Sequence, residues 1–164
     1  MLRQVSLPAN TLGALFLSPM PGRDRESLEQ SFLEMRQQGV TLIVRLTSLD
    51  EVQQKSPDYY RALEERLTPC QVEECPVPDF GIPEDERYFI EVVQRSADRL
   101  TRGEKILVHC GAGIGRTSMF AILTLVVLGM PLETAEQAVR RAGSTPESDE
   151  QREFISRVGA ALRK

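Results

Sequence analysis

Tryptophan is absent from the 164 residues, histidine occurs once, and cysteine occurs three times. With His109 alone, the chain has no histidine cluster for a metal hydrolase and no imidazole free to turn in a nucleophilic triad. No apolar run approaches the ~20 residues that span a bilayer. The longest, residues 119–130, suits a buried helix. The stretch Met1-Leu2-Arg3-Gln4-Val5 lacks the sustained apolar segment of a secretory signal. Cys70, Cys75 and Cys110 are odd in number and lack zinc-site spacing, which fits free thiols in a reducing cytoplasm. A net charge of -4 gives no electrostatic case for nucleic acid or for an anionic membrane surface. An anionic substrate must therefore be held by local donors.

No internal repeat, low-complexity tract or long linker divides the chain, so a single domain covering residues 1–164 is expected. Strands are predicted over residues 12–17, 40–46, 71–77 and 105–109, the second being a continuous β-branched run of the kind buried on both sides. Helices are predicted over 27–38 (closed by Gly39), 58–67 (after Pro57), 84–101, 116–130, 131–141 and 148–162. Leu28, Phe32, Leu33 and Met35 are read as one apolar face of the first helix. This alternation implies an α/β fold with a central, mainly parallel sheet of four to five strands and helices on both faces. Ligands bind such sheets at the carboxyl ends of the strands.

At one such end stands Ile106-Leu107-Val108-His109-Cys110-Gly111-Ala112-Gly113-Ile114-Gly115-Arg116-Thr117. A strand delivers a cysteine into a glycine-rich turn, and an arginine and a threonine open the next helix. Glycines let the backbone turn several N–H groups toward one centre, and the helix adds its positive end. A cysteine in that setting is expected as a thiolate, since such sites lower the thiol's ~8.5 to roughly 3.5–7.5. Arg116 offers a planar fork for two phosphoryl oxygens. The spacing matches neither G-x-G-x-x-G nor G-x-x-x-x-G-K-[ST]. A structural cysteine beside an ordinary turn is the plainer alternative.

The string His109-Cys110-x5-Arg116-Thr117 resembles the signature of the cysteine-dependent protein tyrosine phosphatase superfamily. Ser118 departs from the glycine many members carry there and is expected to be tolerated. The chain's size resembles the compact dual-specificity group, and Leu17-Ser18-Pro19-Met20-Pro21-Gly22 is more loosely similar to kinase-associated phosphatases. The resemblance implies a phosphotyrosine protein phosphatase-like fold and a phosphocysteine intermediate. It assigns catalysis to Cys110, Arg116, Asp79, Thr117 and His109, with His109 orienting the loop. Substrate binding falls to Gly111, Ala112, Gly113, Ile114, Gly115, Arg116 and Gln151. It implies no metal and no cofactor, and a monomer acting on phosphorylated protein or peptide, with no nucleic-acid partner and no membrane insertion.

Asp79 is the best proton donor, because Val77-Pro78-Asp79-Phe80-Gly81-Ile82-Pro83 is a bounded, mobile loop following a strand; it also resembles the family's acid loop, whose aspartate lies about thirty residues before the cysteine. Its alternative is a turn aspartate capping its own backbone. Asp85 is weaker, being placed inside the following helix. Gln151 resembles the family's water-positioning glutamine, but equally suits the exposed face of a terminal helix. Asp50 and Glu51 are read as a solvated loop in preference to the mouth of the site, and Cys70 and Cys75 as small core residues in preference to a resolving thiol. Phosphotyrosine, with phosphoserine or phosphothreonine, leads as substrate. The absence of a basic residue at Gly111, Ala112 and Ile114 weighs against a highly phosphorylated ring, the phosphoinositide reading. A phosphate-binding module without turnover, a sulfurtransferase and an arsenate reductase rank lower.

Overall fold

In the computed structural model, which describes residues 1–23 and 26–163, the chain opens with β1 (Arg3–Val5) and β2 (Ala14–Ser18). α1 (Leu28–Gln38), β3 (Leu42–Arg45), α2 (Leu49–Lys55), α3 (Pro57–Glu64) and β4 (Gln71–Glu74) follow. The second half is α4 (Glu86–Thr101), β5 (Lys105–His109), α5 (Gly115–Val127), α6 (Leu132–Arg141) and α7 (Asp149–Leu162). The sheet runs β1-β2-β5-β3-β4, parallel except for β1. This is the mainly parallel, two-faced α/β architecture expected.

Alternation along the strands sorts the core into two layers. Leu15, Leu17, Leu42, Val44, Ile106 and Val108 face α4 through α7, while Phe16, Ile43 and Leu107 face α1 through α3. β5 lies between β2 and β3, with Ser18, His109 and Arg45 in register at its carboxyl end. Cys110 is the next residue. It therefore leaves the sheet at its centre, where flanking strands fix its position. α5 is buried along nearly its whole length, its polar side chains being confined to Arg116, Thr117 and Ser118 in the first turn and to Thr124, so the helix opening at the cysteine loop is also the middle of the core.

Several boundaries differ from the sequence reading, each for a local reason. The strand predicted over 71–77 ends as a ladder at Glu74 because Pro76 has no N–H, although Cys75 and Val77 still donate to Arg45 and Leu46 carbonyls at 2.9 Å. Leu33 is half exposed and does not belong to the buried face of α1, which is built on Phe32 and Met35. Asp85 is not inside α4 but caps it, accepting from the Tyr88 N–H at 3.0 Å. β1 and α2 were not predicted at all. β1 is three residues long with only Val5 buried, too short to show a period. α2 carried a legible signal, Ser48 three residues before Glu51, and the Ser48 hydroxyl does accept from the Glu51 N–H.

Candidate active site

The loop 110–115 is tied down from below before it offers anything to a ligand. Gly113 has φ +76°, and a Cβ built there would lie 2.5 Å from the Ser18 carbonyl oxygen at the end of β2. Glycine is required twice over, by backbone sign and by space. Met20 N–H donates to the Gly111 carbonyl at 2.9 Å, so residues 17–22, singled out in sequence, form the floor of the loop. Gly113→Ala is expected to cost about 2–4 kcal/mol, combining left-handed strain with overpacking. Chemical denaturation would read this, and an unchanged midpoint would contradict it.

Cys110 is almost fully buried, and its sulfur accepts from the Thr117 hydroxyl at 3.0 Å and from the Gly113 N–H at 3.2 Å. No side chain caps the start of α5, which leaves its first N–H groups to the loop. His109 is fully buried. A carbonyl only accepts, so His109 Nδ1 carries the proton it donates to the Cys110 carbonyl at 3.0 Å, and Nε2 accepts from the Tyr59 hydroxyl at 2.8 Å. Burial, aided by Arg45 and Arg116, pushes its pKa down to about 4, so the ring is neutral at pH 7. Ser118 satisfies its hydroxyl on the Gly115 carbonyl at 2.6 Å, which explains how this position accepts serine.

Arg116, also buried, is held from three directions. Its two terminal nitrogens reach Glu51 Oε1 and Oε2 at 2.8 and 2.9 Å, Nη1 donates to the Val77 carbonyl at 3.1 Å, and Nη2 lies 3.2 Å from Asp79 Oδ1. Burial disfavours the guanidinium charge, but Glu51, Cys110 and Asp79 outweigh it and raise its pKa. Glu51 is thus no solvated loop residue. Burial opposes its charge, yet hydrogen bonds from Arg116 and Lys55 bring its pKa to about 2, a fixed carboxylate beside the cysteine loop. Lys55 Nζ lies 2.7 Å from Glu51 Oε2 and only 3.1 Å from where a Gly111 Cβ would stand. The cation missing from the loop's own variable positions is supplied from α2.

Asp79 is half exposed on a loop with two struts from α7. Ser148 donates to the Phe80 carbonyl at 2.8 Å, and Gln151 Nε2 donates to the Gly81 carbonyl at 3.1 Å. Gln151 is fully buried, not on an exposed face, and its Oε1 accepts from the Glu147 N–H at 2.8 Å. Its amide is engaged with protein at both ends, so it braces the Asp79 loop in this structure. Phe80, which the sequence reading passed over, is exposed beside Asp79 with φ +60°. A cavity of about 570 Å³, lined among others by Glu51, Cys75, Asp79, Tyr88 and Phe89, opens on the α4 side of this loop. Burial pushes the Cys75 thiol up to about 12 and that of Cys70 to about 11, so both are neutral thiols in packed surroundings.

Among the described residues no cluster of His, Cys, Asp or Glu could hold a metal ion, and no helix is long and apolar enough to cross a membrane. A mainly parallel sheet whose central strand ends in a cysteine, with an arginine one loop later, defines the architecture of the cysteine-dependent tyrosine phosphatases. Residues 20–130 match the profile of the DSP-PTPase phosphatases of polymorphic toxin systems, and the chain belongs to that family. Kinase associated phosphatase, solved with its catalytic-site cysteine changed to serine, superposes with a TM-score of 0.83 over 99% of this chain and 95% of that one, at 19% identity. Tk-PTP in its active form gives 0.69 over 90% and 92%, at 27% identity. Tyrosine-protein phosphatase 1 of Saccharomyces cerevisiae is 34% identical over 80 residues, 42% of this chain. Tyrosine-protein phosphatase non-receptor type 4 of Mus musculus is 46% identical over 43 residues, 26% of this chain. The matched segments cover only 24% and 5% of those two proteins.

Proposed function

We propose that the protein hydrolyses phosphate monoesters on protein, phosphotyrosine foremost and phosphoserine or phosphothreonine as well, in the cytoplasm. The observation that carries this reading is the meeting of Asp79 and Arg116 at 3.2 Å beside a sulfur that already accepts two hydrogen bonds. Cys110 Sγ attacks phosphorus in line, forming the S–P bond as the P–O bond to the leaving group breaks. Asp79, as the acid, transfers its proton to that oxygen. Arg116 and the loop N–H groups hold the equatorial oxygens. Water then attacks phosphocysteine, Asp79 takes a proton from it, and the departing sulfur recovers the Thr117 hydroxyl bond. His109 holds the Cys110 carbonyl in place and moves no proton.

One observation favours a second substrate class. Lys55 puts an ammonium beside Gly111, so the lack of a basic residue within the loop no longer argues against a substrate with a second phosphate. Fold does not choose between them: PTPMT1, alike in fold at 15% identity, has been solved in complex with PI(5)P. Phosphate release from phosphotyrosine and phosphoserine peptides and from phosphoinositides, measured side by side, tests the choice. The expected order is phosphotyrosine peptide, phosphoserine peptide, phosphoinositide. Turnover of phosphoinositides alone would replace the first reading by the second. Binding of inorganic phosphate without turnover of any ester would leave only a phosphate-binding module.

A further inference from the structure

The edge strand β1 reaches into the cysteine loop. Arg3 leaves β1, whose backbone pairs with Leu17 of β2, and its Nη2 donates to the Gly113 carbonyl at 2.7 Å. Nη1 is anchored between α6 and α7, donating to the Ala142 carbonyl at 2.7 Å and to Ser144 Oγ at 3.3 Å. Ser144 in turn donates to the same Gly113 carbonyl at 2.6 Å. That one oxygen therefore accepts from a charged donor and a neutral one, filling both lone pairs.

The consequence follows from peptide planarity. No peptide bond among the described residues is cis, and in a trans peptide the carbonyl and the next N–H point in opposite directions. Pinning the Gly113 carbonyl on Arg3 and Ser144 turns the Ile114 N–H away from those two side chains, and the Gly113 N–H one residue earlier meets Cys110 Sγ. Gly113, at φ +76°, sits on a backbone that glycine alone holds easily, and glycine also flips most easily. Without the clamp, that peptide has little to keep it from turning over.

We propose that Arg3 is a positioning residue for the phosphate-binding loop, fixing the plane of the Gly113–Ile114 peptide so that its N–H faces the bound anion. Burial lowers the pKa of Arg3, and attraction to Cys110 offsets part of that. The proposal rests on the phosphatase reading and adds a residue outside the signature.

The test uses the full chain with p-nitrophenyl phosphate for turnover and tungstate as a competing anion. Arg3→Met is expected to lower kcat/KM about 10- to 100-fold, the scale of misplacing a binding group by an ångström, and to weaken tungstate inhibition about tenfold. Arg3→Lys, which keeps a charge and one donor, should recover part of both. Ser144→Ala should weaken tungstate inhibition in the same direction, and its effect should shrink when Arg3 is already Met, because both act on one oxygen. Val5→Ala, which loosens β1 through the core alone, should lower Tm yet leave kcat/KM and tungstate inhibition within about twofold of wild type. Should Arg3→Met keep wild-type tungstate inhibition, the proposal falls. Should it fail to fold, Ser144→Ala and Arg3→Lys both at wild-type values would overturn it equally. A wild-type protein that neither hydrolyses the ester nor binds tungstate would instead remove the phosphatase reading itself.

Discussion

Serine in place of Cys110 is expected to abolish turnover while leaving the anion site standing. The hydroxyl is not ionised near neutral pH, and His109 is not free to take its proton. His109, the one imidazole, has its Nδ1 proton committed to the Cys110 carbonyl and its Nε2 to Tyr59. Loss of a nucleophile that has no substitute costs on the order of 10⁴-fold or more in kcat. Serine is smaller than cysteine, so burial is not strained, and its oxygen can still accept from Thr117 and the Gly113 N–H. Tungstate binding should therefore stay within a few-fold of wild type. Steady-state hydrolysis of p-nitrophenyl phosphate, with calorimetric binding of tungstate, reads both halves. Residual turnover near that of the wild type would remove the phosphocysteine from the mechanism.

Asn at position 79 is expected to separate substrates by how badly their leaving groups need a proton. An amide can still hydrogen-bond Arg116, so the loop keeps its main tie, and Ser148 and Gln151 hold it by its backbone. What goes is the transferable proton, worth roughly 10²–10⁴-fold. The loss in kcat should reach that range with phenyl phosphate, whose phenolate leaves poorly. With p-nitrophenyl phosphate, whose leaving group is stable as an anion, it should shrink toward tenfold or less. A series of aryl phosphates would give a steeper dependence of log kcat on leaving-group pKa for Asp79→Asn than for wild type. Equal slopes would take the acid role from Asp79 and return it to a turn aspartate.

The parts of the site that could be read in sequence are those packed into a few consecutive residues. Cys110 through Thr117 carries a cysteine, glycines and an arginine within one turn, and Asp79 lies in a loop fenced by Pro78 and Pro83. The helices were legible where an apolar period ran for several turns, as in α4, or where apolar residues ran on almost unbroken, as in α5. The residues that hold the site together were not, because their partners are far away in the chain. Glu51 and Lys55 sit on a seven-residue helix whose only cue was Ser48, and nothing local says that Glu51 meets an arginine 65 positions later. Arg3 lies 110 residues from the carbonyl it grips. Gln151 enters by resemblance, with an exposed helix face as its alternative, yet it is buried and its amide ties the Asp79 loop to the start of α7. Leu33 shows the reverse error, an apolar residue counted into a face that the fold leaves in water.

α5 brings its own consequence for how variation in this protein will look. Its first turn carries Arg116 and Thr117, and from Met119 to Leu125 every side chain is enclosed. Arg116 and Thr117 share one continuous, enclosed helix with Phe120 and Leu123, so repacking either side chain is expected to shift the sulfur's partners. A genetic selection that scores only activity is expected to return such interior positions alongside Cys110 and rank them as equals. Scoring the amount of intact protein in the same cells is what tells the two kinds of lesion apart.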